Sequence, residues 1–128
     1  MKLLLDTHVL LWWLVDSPRL SGRARALIAD QRSQLFWSAA SSWELAVKSA
    51  LGRIQFQTSL RTVIPDVLGK QGIASLPVEQ SHAFQMAGLP LLHRDPFDRM
   101  LVAQCQVEKL GLLSADGQLN AYEVDVLW

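Results

Sequence analysis

Apolar positions along the chain fall into two rhythms. Short unbroken runs of strand length recur as KLLLD, QLFWSA, GIASLP and LGLLSAD, and each is followed by a longer segment with apolar residues at helical spacing. The spacing predicts helices at roughly Thr7 to Val15, Gly22 to Asp30, Ser42 to Leu51, Ser59 to Lys70, Gln80 to Ala87 and Pro96 to Lys109, with VDVLW as a short fifth strand. Strands that alternate with helices, and that are apolar on both faces, belong in a mostly parallel sheet covered on both sides. The expected fold class is therefore α/β with a four- or five-stranded sheet. No linker-like stretch, repeat or low-complexity segment interrupts the pattern, so residues 1–128 are expected to form a single domain.

Local chemistry at the helix ends sharpens these boundaries. Ser41-Ser42-Trp43-Glu44 has the spacing of a capping box, in which Ser41 caps and Glu44 reaches back to its amide. Asp95-Pro96-Phe97-Asp98 supplies a cap acceptor, a proline at the first helical position and a second acid where the helix dipole favours it. Pro65 is expected to kink or split its helix, and Gly52 and Gly111 are expected to stop theirs.

Composition narrows the classes of function. Lys plus Arg equals Asp plus Glu at 12 each, so no global positive field advertises a polyanion partner, and any such contact must be a local patch. The one cysteine, Cys105, excludes an internal disulfide and fits a reducing compartment. Asp6 and His8 interrupt the apolar start MKLLLDTHVLLWWLV, and its longest clean run, Val9 to Val15, is far short of the ~20 residues that span a bilayer. A cytoplasmic protein without membrane association is expected. Five tryptophans are many for 128 residues. Adjacent Trp12 and Trp13 must point about 100° apart on a helix, so a partner surface is expected to take one of them, with Trp43 a further candidate.

The acids matter most when taken together. In an open parallel sheet, ligands sit beyond the carboxyl ends of the strands. Asp6 ends the first strand, Glu44 lies in the first turn of the helix after the second, Asp95 and Asp98 open the last long helix, and Asp116 follows the next strand in SADG. Singly, each has an ordinary role as a cap or turn residue. Collectively, two carboxylates at ~4 Å repel by about 4 kcal/mol at an effective dielectric of 20, and a divalent cation removes that cost. Oxygen ligands without a second histidine or a cysteine nearby suit Mg2+ or Mn2+ better than zinc, and such a site supports phosphodiester hydrolysis.

Four segments, LLLDTHVLLW, SAASSWELAVKSALGRI, HRDPFDRMLVAQ and LLSAD, resemble in order and spacing the PIN-domain ribonucleases, and among them the VapC-like toxins of bacterial toxin–antitoxin pairs. The resemblance covers essentially the whole chain. It implies a three-layer α/β/α sandwich and a Mg2+- or Mn2+-dependent endoribonuclease whose acids are matched here by Asp6, Glu44, Asp98 and Asp116. Asp95 is left as a cap, an additional ligand or a residue that orients Arg99. The implied partners are RNA, a second copy of the chain, possible higher toxin–antitoxin assemblies, and an antitoxin that lays a helix or tail along an apolar groove near the site.

Other residues carry weaker expectations. Lys48, Arg53, Arg94 and Arg99 lie near the acidic end and are candidates for RNA phosphates. Thr7 and Ser114 flank Asp6 and Asp116, where a hydroxyl serves either a local backbone acceptor or the site. His8, His82 and His93 are scattered and are expected to be hydrogen-bonded rather than catalytic, with His93 the best outsider. The alternative function is a catalytically silent binding module of the same fold, acting through a protein partner. A phospho-acceptor signalling domain is disfavoured because only one acid follows the first strand, and a halo-acid or phosphatase reading of DTH fails because His8 stands where a second aspartate is wanted.

Overall fold

A computed structural model describes residues 1–128. Five strands, β1 (Lys2–Leu5), β2 (Gln34–Ser38), β3 (Ala74–Leu76), β4 (Gly111–Leu113) and β5 (Val126–Leu127), form one sheet in the order β3-β2-β1-β4-β5. Every neighbouring pair is parallel. The helices are α1 (Thr7–Leu14), α2 (Gly22–Ala29), α3 (Ala39–Ala50), α4 (Leu60–Gln71), α5 (Gln80–Ala87) and α6 (Pro96–Glu108), with a 3-10 turn, η1, at Gly117–Ala121.

The alternation of side chains along a strand explains the layers. Leu3 and Leu5 of β1, Leu35 and Trp37 of β2, and Leu113 of β4 face one core with Val9, Leu10, Ile28, Leu45, Ile64 and Val67 from the first four helices. Leu4 and Leu112 face the opposite core with Leu101, Val102 and Cys105 of α6 and with Leu119 and Tyr122. All three leucines of β1 are fully buried, as befits the central strand of a sandwich. The three-layer α/β/α architecture is thus the expected one.

Three local expectations give way. Ser38, not Ser41, caps α3 by accepting from the Ala40 amide, so the helix begins earlier and Ser41 lies inside it, buried with its hydroxyl unpaired. Glu44 is thereby freed from any capping box. Pro65 neither splits nor ends α4, which runs unbroken to Gly72, a glycine in the left-handed conformation. Gly111 does not stop α6 either; Lys109 takes the left-handed position at φ 59°, and Gly111 opens β4. A Cβ there would lie 3.0 Å from Leu3 Cδ2 and 3.1 Å from Leu127 Cδ1, so a larger residue would fit only if those two side chains gave way by a few tenths of an ångström.

The strand order places the site. From β1 the chain builds outward through β2 and β3, then crosses back to β4 on the other side of β1. The reversal leaves a crevice beyond the carboxyl ends of β1 and β4, where the helices diverge to opposite faces.

Candidate active site

Asp6, Glu44, Asp95, Asp98 and Asp116 line a single open cleft at this crevice, together with His8, Val9, Trp12, Arg19 and Ala115. Three of the elements around it start from these residues, which reconciles capping with clustering. Asp6 caps α1 by accepting from the Thr7 amide at 2.6 Å. Asp95 caps α6 through Oδ1, which accepts from the amides of Phe97 and Asp98. Asp116 caps η1, accepting from Gln118. Glu44 arrives from the first turns of α3.

The carboxylates are held by a small set of donors. Ser114 Oγ donates to Asp6 Oδ2 at 2.6 Å, and Thr7 Oγ1 donates to Glu44 Oε1 at 2.7 Å. Both hydroxyls donate to the acids, and Ser114 Oγ also accepts from the nearby Asp116 amide at 3.1 Å, so Ser114 fills both expected roles while Thr7 serves Glu44; together they couple β4 to β1 and α1 to α3. Lys48, one turn beyond Glu44, pairs with Glu44 Oε2 at 2.5 Å, with its side chain 25% exposed. His93 Nε2 lies 2.9 Å from Asp116 Oδ2 and 3.7 Å from Asp98 Oδ2.

Crowded negative charge raises proton affinity at the centre. Burial pushes the Asp98 carboxyl up to about 8, reinforced by the negative charges of Asp6, Asp95, Glu44 and Asp116. Burial also raises Asp6, opposed by the Ser114 hydroxyl, by the charge of His8 and by the Thr7 amide. Carboxylate oxygens converging from three sides make a donor set suited to a hard divalent cation. One side-chain oxygen or nitrogen from each of His93, Asp98 and Asp116 falls within 4.8 Å of the others, a spacing that one ion can bridge.

The basic residues separate sharply. Arg94 is exposed in a separate depression that Leu91, His93 and Pro96 also line. Arg99, expected at the RNA surface, is only 7% exposed; it donates to the carbonyls of Met86, Leu89 and Pro90 and closes the end of α5. It is neither available to phosphate nor bonded to Asp95. Arg53 lies beyond the end of α3, where the chain turns through left-handed Gly52 and the Arg53 amide donates to the Lys48 carbonyl, and it does not line the cleft. Lys48 is engaged by Glu44. Arg19 does line the cleft, free of any ion pair, and only the path of the loop after α1 reveals it.

Among the tryptophans, Trp37 is buried in the core and donates to Ser42 Oγ. Trp12 and Trp13 both pack partly on the first core, and Trp12 also lies against His8 and Trp128 with ring centroids 5.8 and 5.7 Å away. Trp43 is 65% exposed and meets Phe97 edge-on. His82 is fully buried, paired with Glu108 at Nε2 and with the Glu79 amide at Nδ1, and stands apart from the cleft.

A five-stranded parallel α/β sandwich with acids gathered at its switch point defines a class of compact, acid-centred α/β domains. The chain belongs to the PIN domain family, which it matches over residues 3–125. Ribonuclease VapC16 of Mycobacterium tuberculosis is 33% identical over 69 residues, an alignment covering 51% of this chain and 49% of that protein, so the match spans about half the length of the curated relative. Among solved structures, VapBC2 from Rickettsia felis bound to a DNA fragment from its promoter is similar with a TM-score of 0.75 at 12% identity, covering 99% of this chain and 98% of that one. FitAcB from Neisseria gonorrhoeae is similar with a TM-score of 0.64 at 21% identity, covering 98% and 96%. These structures share the fold. No helix of this chain is long and apolar enough to cross a membrane.

Proposed function

We propose that this chain is a Mg2+- or Mn2+-dependent endoribonuclease and the toxin of a toxin–antitoxin pair. The observation that carries the reading is the convergence of five acids on one cleft, with Asp98 pushed up to about 8 by burial and by its acidic neighbours. Membership in the PIN domain family and the similarity to a protein named a ribonuclease support it. Asp6, Glu44, Asp98 and Asp116 would hold the cation, and a bound ion would supply Lewis acidity and positive charge at a scissile phosphate.

The remaining work falls to the chain's own side chains. Thr7 and Ser114 spend their protons on Glu44 and Asp6, which fixes those carboxylates before substrate arrives. Asp95 gives one oxygen to two backbone amides, so capping is its main task and ligation would use the other oxygen. Arg19 on the cleft wall, and the exposed Arg94 in a separate depression that His93 also lines, are cations free to pair with RNA phosphates, which would position the strand without reading its bases. Lys48 balances part of the Glu44 charge.

For the protein partners, Trp43, Val47 and Leu51 repeat every four residues along α3 and are 65%, 36% and 62% exposed. Such a stripe suits an apolar helix of an antitoxin, in the manner of helix-in-groove recognition. The expected homodimer would need an apolar face of its own. Retention of all the matched acids favours an active nuclease over a silent binding module.

The deciding experiment is digestion of total cellular RNA by the purified chain, with Mg2+ and with a chelator, alongside Asp98→Asn. Cleavage that requires the cation and disappears in a folded Asp98→Asn protein is expected. Undiminished cleavage in chelator, or by the variant, would reject the ligand assignment.

A further inference from the structure

His93 grips the 3-10 turn at both of its ends. Its ring Nε2 meets Asp116, the residue that opens η1, while its backbone N–H donates at 2.9 Å to the hydroxyl of Tyr122, the buried residue that closes η1. The other ring nitrogen, Nδ1, accepts from the Asp95 amide at 3.1 Å. That last contact fixes the tautomer. A nitrogen that accepts from an N–H carries no proton, so the neutral ring carries its proton on Nε2.

Two consequences follow from the geometry. An Nε2 that bears a proton has no lone pair for a cation, although it sits among oxygens spaced to share one. The same proton is aimed at Asp116 Oδ2, with Asp98 Oδ2 next nearest. Asp116 is open to such a restraint. Its side chain is 34% exposed, and the only other contact on its carboxylate is the Gln118 amide within its own turn.

We propose that His93 is a positioning residue for the acid cleft: locked by the Asp95 amide, it donates through Nε2 to Asp116, sets that carboxylate beside Asp98, and does not itself ligate. The proposal rests on the reading of the cleft as a cation site. Outer partners that orient a ligand typically govern metal affinity by 10–100-fold when removed.

The test compares the full chain with His93→Ala, His93→Gln and His93→Asn, using Mn2+ alone as the probe. A glutamine amide reaches the place of Nε2 and can donate to Asp116; an asparagine amide reaches only the place of Nδ1. Calorimetry should show Mn2+ affinity falling at least about tenfold in His93→Ala and His93→Asn, with most of it restored in His93→Gln. Electron spin echo spectra of bound Mn2+ should carry no coupling to a histidine nitrogen. Wild-type affinity in His93→Ala, loss in His93→Gln with retention in His93→Asn, or a histidine nitrogen coupled to Mn2+ would each overturn the proposal. If the wild-type chain takes up no Mn2+, the cation reading fails by itself. Nitrogen NMR of the His93 ring then still decides the tautomer, and a proton on Nδ1 would overturn the lock.

Discussion

Replacing Asp98 by asparagine should stabilise the cation-free protein, and should do so more strongly as pH rises. The Asp98 carboxyl moves from an ordinary 3.8 to about 8 through burial and the charges of Asp6, Asp95, Glu44 and Asp116. A carboxyl whose pKa is raised on folding contributes stability that is complete below pH 3.8 and is lost as pH climbs through about 8. Roughly four decades of proton affinity at about 1.4 kcal/mol each set a ceiling near 6 kcal/mol. Because the cleft is open and water screens the neighbouring charges, about 2–3 kcal/mol is the realistic size. Urea unfolding in chelator at pH 5 and at pH 9 measures it. Asp98→Asn should differ little from wild type at pH 5 and exceed it by about 2–3 kcal/mol at pH 9. Saturating Mg2+ should reverse the order, since binding to the folded wild type alone adds about 4.1 kcal/mol at one thousand times Kd. A difference that does not change with pH, or a variant weaker than wild type at pH 9, would refute the account of the cleft as a store of uncompensated charge.

Four further outcomes test separate parts of the structure. Gly111→Ala should lose about 1–3 kcal/mol in urea unfolding, because the new methyl would press on Leu3 and Leu127. Leu10→Ala, at a fully buried position of α1, should cost about 2–5 kcal/mol by the same measurement. Arg19→Ala should weaken binding of a single-stranded RNA in filter assays and flatten its salt dependence, whereas Arg99→Lys should instead lower the melting temperature, since its donors close α5 from inside.

Periodicity carried most of the fold. All five strands and all six helices lie where the apolar rhythm puts them, with ends displaced by no more than a few residues. Chains read well at this level because a buried strand must be apolar on both faces and a covering helix on one. The failures share a cause. Ser41 has the spacing of a cap, but Ser38 reaches the first free amide sooner once β2 ends there. Gly111 follows a helix as a stop would, yet it opens a strand where Leu3 and Leu127 crowd the place of a side chain. In both cases the competing choices lie within three residues of each other, and tertiary packing breaks the tie.

The sequence by itself determined the alternation of strands and helices, the parallel sheet, and the identity of the acids, because each depends on local spacing and on where a strand ends. Only the tertiary structure decided which side chains face them. Ser114 and Asp6 stand 108 residues apart and meet because β1 and β4 are adjacent in the sheet. His93 and Asp116 meet because the loop before α6 folds over η1, while Arg99 turns inward on the same helix that delivers Asp98. Spacing along a chain fixes what each element can present; which partner it finds is set by the order in which strands pair, and no local pattern encodes that order.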